Sequence, residues 1–109
     1  MGDRGNIAVK QSDGGYIYLY THWSGSDIED ITREALSKGI RWGDTPYLTR
    51  IIFDQLSKGE QGGETGFGIS TDITDNEHPI VYVDPQTQRV SIAEKSYSFE
   101  EFIKQKVMA

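Results

Sequence analysis

The chain has 109 residues, a length that fits one domain spanning residues 1–109, and no cysteine, which excludes a disulfide framework, thiolate-bound zinc and thiol catalysis. Aspartate and glutamate outnumber lysine and arginine 17 to 11, for a net charge of −6. The basic residues are scattered, so conventional binding of duplex nucleic acid is not expected. No apolar run approaches a membrane span and the first eleven residues lack a signal-peptide pattern, so the expectation is a cytoplasmic protein with no membrane partner.

Asn6 to Gln11 reads as a strand with Ile7 and Val9 on one face, Ser12-Asp13-Gly14-Gly15 as a turn, and Tyr16 to His22 as a second strand completing a hairpin. The second strand alternates. Ile17, Leu19 and Thr21 suit a core, whereas Tyr16, Tyr18, Tyr20 and His22 form a row of rings with polar tips on the other face. Ser24-Gly25-Ser26 breaks the strand, and Ser26 with Glu29 has the spacing of a capping box for a helix carrying Ile28, Ile31 and Ala35 inward. Gly39 suits the left-handed stop of that helix, with Ile40 expected to fold back onto its last turn.

A second helix is expected from Asp44 or Thr45, with Pro46 in its first turn, Leu48, Ile51, Ile52 and Leu56 as its apolar stripe, and Gly59 beyond its end. Phe67 and Ile69 mark a third strand whose other face holds only Gly66, Gly68 and Ser70. Ile80 to Asp84 and Arg89 to Ala93 form a hairpin through Pro85-Gln86-Thr87. Ser98 and Glu101 make another capping box, opening a final helix with Phe99, Phe102, Ile103 and Val107 inward. The order is ββααβββα: an α+β, two-layer domain with an antiparallel or mixed five-stranded sheet and helices on one face.

Arg41-Trp42-Gly43-Asp44-Thr45-Pro46-Tyr47-Leu48-Thr49-Arg50 concentrates arginines and aromatic rings around a helix start. Helix N-termini favour anions, guanidinium offers bidentate donors, and rings offer stacking faces. A solvated helix face with an Arg50–Asp54 pair would look the same. His22 and Trp23 end a strand at the sheet edge. Gly66 and Gly68 match no nucleotide-binding fingerprint and would let a bulky group approach the backbone. If the tyrosine row is not packed under helices, it forms a shallow aromatic cleft with those glycines, suited to a planar ligand. The loop Asp72 to His78 does not match a calcium loop, which needs a glycine at the sixth place and a glutamate at the twelfth, so no metal and no other cofactor is expected. Catalysis would need His22 within reach of Glu64, Asp44 or Asp54.

Taken together, Gly2-Asp3-Arg4-Gly5-Asn6-Ile7, Tyr18-Leu19-Tyr20-Thr21-His22-Trp23, Arg41-Trp42 with Asp44, Tyr47-Leu48-Thr49-Arg50-Ile51-Ile52-Phe53 and Glu64-Thr65-Gly66-Phe67-Gly68-Ile69-Ser70 resemble a family of small uncharacterised proteins of bacteria and their phages. The resemblance implies a stand-alone cytoplasmic domain, encoded by a phage or mobile element, that acts by binding. The expected function is that of a non-enzymatic binding protein acting on a host protein, for example as an anti-defence inhibitor. The alternative is a binder of a small anionic ligand such as a nucleotide, and a weaker one is a hydrolase using His22 and a carboxylate. The expected surface gathers Arg4, Asn6, His22, Trp23, Arg41, Trp42, Asp44, Tyr47, Arg50 and Glu64. Arg41 and Arg50 would hold an anionic group, and Trp23, Trp42 and Tyr47 would stack or anchor. Asp44 and Glu64 would orient the arginines or accept hydrogen bonds. A homodimer through the tyrosine face or a sheet edge is a further expectation.

Overall fold

The computed structural model describes residues 2–60, 62–73 and 75–105. They form β1 (Gly5–Lys10), β2 (Tyr16–Thr21), α1 (Ile28–Ser37), α2 (Thr45–Leu56), β3 (Phe67–Ser70), β4 (Val81–Asp84), β5 (Arg89–Ile92), β6 (Lys95–Ser98) and α3 (Phe99–Lys104). The sheet is mixed and six-stranded, in the order β3-β2-β1-β4-β5-β6. Only β1 and β4 pair in parallel; every other neighbour is antiparallel.

The α+β class and the order of the first seven expected elements hold, but a further strand precedes the last helix, so the sheet has six strands rather than five. The additional strand is β6. Its Lys-Ser-Tyr-Ser run has one apolar residue, and its turn, Ala93-Glu94, lacks the glycine or asparagine that usually marks a tight hairpin. Ala93 takes φ 54 without them. Val107, expected on the inward face of the last helix, lies outside the described residues.

One face of the sheet meets the helices. Ile7, Val9, Leu19, Val81, Val83 and Val90 pack against Leu36, Leu48, Ile52, Phe99 and Phe102, all at most 1% exposed. Each such side chain contributes roughly 1.5–3 kcal/mol by leaving water. The second capping box forms as expected: Ser98 Oγ accepts from Glu101 N–H at 3.1 Å, and Glu101 Oε1 accepts from Ser98 N–H at 2.9 Å. The first does not. Ser26 Oγ instead donates to Asp3 Oδ2 at 2.6 Å, and Glu29 turns to Arg33 at 3.0 Å, so α1 starts from a 3-10 turn over Gly25–Asp27 without a side-chain cap. Nor does Ile40 fold back; it is 53% exposed. Trp42 covers that turn, its Nε1–H donating to the Leu36 carbonyl at 2.9 Å and its ring edge-on to Phe99 at 5.3 Å.

Candidate functional site: the open face of the sheet

Among the described residues, no helix lies on the other face of the sheet. Strand pairing sets a row across all six strands, Ser70, Tyr18, Ala8, Tyr82, Ser91 and Ser96. Ala8 is fully buried between two tyrosines that themselves stay half-exposed. Beside it runs a second row, Tyr16, Lys10, Asp84 and Arg89, in which Lys10 meets Asp84 at 4.0 Å. Tyr16 ties the rows together: its ring lies edge-on to Tyr82 at 5.5 Å and 6.2 Å from Tyr18. Between the rows, Tyr16, Tyr82, Asp84, Arg89, Ser91 and Ser96 line a hollow of about 210 Å³. Burial pushes the Tyr18 and Tyr20 phenols above the usual tyrosine range, so both rings are neutral donors at physiological pH.

The far end of this face is closed by the connection from β3 to β4. Asn6, fully buried, donates from Nδ2 to the Asp75 carbonyl at 2.9 Å and to Asn76 Oδ1 at 3.1 Å. Arg4 pairs with Glu77 at 3.3 Å and Asp75 at 3.5 Å. Asp3 sits between Ser26 and His78, its Oδ1 at 2.5 Å from His78 Nε2. This histidine–carboxylate contact joins residues 75 positions apart and has no local spacing that would announce it. It is not arranged for nucleophilic attack. The serine donates to the aspartate rather than to the imidazole, so the histidine is not set to take its proton.

Nine of the ten residues expected to share one surface fall into two groups, and Glu64 stands apart from both. Arg4, Asn6, His22 and Trp23 lie by the start of β1. Arg41, Trp42, Asp44, Tyr47 and Arg50 lie in and after the α1–α2 turn, beyond the other end of β1, where Gln11 reaches Thr49 at 3.3 Å. Roughly 20 Å of strand separates the two ends. In the second group Arg41, at φ 58, pairs with Asp44 at 3.3 Å and stacks over Tyr47 at 4.8 Å, while Arg50 pairs with Asp54 at 2.5 Å. Trp42 is committed to the core. In the first group His22 Nδ1 contacts Tyr20 Oη at 2.9 Å, with no carboxylate partner among the described residues, and Asn6 and Arg4 anchor the connection. Trp23, 49% exposed, lies edge-on to Phe67 with its ring over Gly66. Glu64 is exposed ahead of β3. Tyr16, Tyr18 and Tyr82 are half-buried rings that do converge, with Tyr20 next along the same face of β2, and the period-two pattern of β2 is the signal for three of these four.

No protein-family model, no curated protein and no solved structure matches the chain.

The Asp3 cluster gives a pH prediction. Hydrogen bonds from the Ser26 hydroxyl and N–H, then from His78, hold the Asp3 carboxyl at about 2, against an ordinary 3.8. A carboxyl depressed by folding contributes stability that is fully present above 3.8 and lost as pH falls through about 2. Melting midpoints should therefore fall more steeply across that window in the native protein than in Asp3→Ala. Parallel curves would show that the cluster does not act on folding.

Proposed function

We propose that the protein is a binding module without catalytic activity, that its contact surface is the open face of the sheet, and that its partner is a protein. One observation carries the reading: a helix-free sheet face with four half-exposed tyrosines among serines, alanine and glycine. Tyrosine supplies broad amphipathic contact at little entropic cost, and serine supplies small adaptable hydrogen bonding, the composition that antibody paratopes use. A flat aromatic face favours a protein, whereas a small anion would be favoured by a concavity gathering the arginines. Arg41 and Arg50, three-fifths exposed, each hold a carboxylate instead. The net charge of −6 steers the module toward a basic patch. The resemblance to small bacterial and phage proteins makes a bacterial host protein the partner proposed.

The test is affinity capture from bacterial lysate with three forms of the protein. Tyr16→Ser with Tyr82→Ser should lose a partner that the native chain retains, because it strips two converging rings without touching the helix layer. Arg41→Ala with Arg50→Ala should retain it. The reverse pattern would move the site to the helix hairpin. The hollow between Tyr16, Tyr82 and Arg89 favours, as a second reading, a small planar anion stacked on the rings. A mass lost on unfolding in native mass spectrometry, and abolished by Arg89→Ala, would establish that reading.

A further inference from the structure

The two edges of the sheet are unlike. At one edge β6 carries Lys95, with Glu94 beside it. A charge in an edge strand discourages pairing with another chain. At the other edge lies β3, within Thr65-Gly66-Phe67-Gly68-Ile69-Ser70-Thr71, a stretch without charge or proline. Ile69 is 60% exposed on it, and Trp23 and Ile73, at 49% and 46%, flank it in space or sequence. Beside it Phe53, Ser57, Thr65 and Phe67 line a groove of about 190 Å³.

The backbone of β3 is open on this side. His22 N–H donates to the Gly66 carbonyl at 2.8 Å, and Tyr20 and Tyr18 stand opposite Gly68 and Ser70. Antiparallel strands alternate, so Gly66, Gly68 and Ser70 face β2 while Phe67 and Ile69 turn their N–H and C=O groups outward. Those outward groups have no hydrogen-bond partner among the described residues.

Charge decides what fits there. The uncharged stretch is bracketed by Glu64 and Asp72, both exposed. A second copy pairing through the outward groups would set Phe67 opposite Ile69 of its neighbour, bringing Glu64 toward Asp72 at both ends. Like charges across an interface oppose that pairing. An extended segment with apolar side chains at alternate positions and a cation near each end meets the same edge without the penalty. We infer that β3 is a docking edge for an extended, basic-flanked segment of another protein, which adds as a seventh strand beyond β3. Backbone hydrogen bonds at Phe67 and Ile69 supply affinity and the Glu64–Asp72 bracket supplies selectivity. This surface is distinct from the open face, and the inference does not depend on that face being used.

The test uses two capped nonapeptides, Lys-Thr-Val-Thr-Val-Thr-Val-Thr-Lys and the same sequence with glutamate at both ends, titrated to about 1 mM by amide-resolved NMR. The lysine peptide should shift the Phe67 and Ile69 amides and protect them from exchange. The glutamate peptide should bind at least about tenfold more weakly. Ile69→Pro should abolish binding while leaving the ladder to β2 intact, because the N–H it removes faces outward. If that variant fails to fold, Ile69→Lys should give the same loss. Equal binding of both peptides, or no protection of those amides, would overturn the inference. So would protection that grows with protein concentration alone alongside a dimer mass, which would assign the edge to a second copy.

Discussion

Replacing Phe102 with alanine is expected to cost about 3–5 kcal/mol of folding free energy, the range for removing a buried phenyl ring. The residue is fully buried, its ring lies 6.2 Å from Tyr97, and the Arg33 guanidinium stacks on it at 4.4 Å. Arg33 also donates from Nε to the Phe102 carbonyl at 2.8 Å while holding Asp30 and Glu29 at 2.7 and 3.0 Å. A cavity at this ring therefore loosens the seat of a nearly buried arginine as well as removing apolar contact. In urea the midpoint should fall with little change in slope, and the melting temperature should drop by at least about 12 °C. Arg33→Ala combined with Phe102→Ala should cost less than the two singles summed, since both remove the same contact. A loss below about 1 kcal/mol would mean that α3 is not docked on α1 as described.

The fold was legible where local chemistry and tertiary packing agree. Leu48, Ile51, Ile52 and Leu56 mark a helix by period, and Ser98 with Glu101 caps the next one with nothing competing for either side chain. Ser26 and Glu29 have the same spacing and fail, because Asp3, 23 positions upstream, takes the serine hydroxyl. Nothing near Ser26 in sequence reports that competitor. The same limit governs the site. Alternation placed Tyr16, Tyr18 and Tyr20 on one face, but Tyr82 joins them only through the parallel pairing of β1 with β4. The arginine and tryptophan residues share binding chemistry, but residue type alone carries no distance. Strand direction puts Arg4 and Arg41 toward opposite ends, and Trp42 proves to be wedged onto Phe99.

Gly25→Ala should be nearly as damaging as a core deletion, although it adds a single methyl group. Gly25 is buried, and its N–H donates to the Asp3 carbonyl at 2.7 Å. A Cβ there would stand 2.6 Å from His78 Cδ2, 2.7 Å from the Asp3 oxygen and 2.8 Å from the Arg4 carbonyl carbon. Two of those three neighbours are backbone, so no side-chain rotation relieves the contact. The start of β1 must move away from the turn into α1. Gly5 closes the alternative route, since a Cβ on it would meet Gly25 Cα at 2.9 Å. The expected cost is about 2–3 kcal/mol, toward the upper part of the range for overpacking. Gly43→Ala, whose Cβ would find nothing nearer than 3.9 Å, should stay within about 0.5 kcal/mol. The two substitutions also separate packing from electrostatics at this end of the sheet. Displacing Asp3 from Ser26 should flatten the acid limb of the Gly25→Ala stability curve toward that of Asp3→Ala, while Gly43→Ala keeps the native slope. A destabilised Gly25→Ala with a native acid limb would show that the strand shifts without opening the Asp3 cluster.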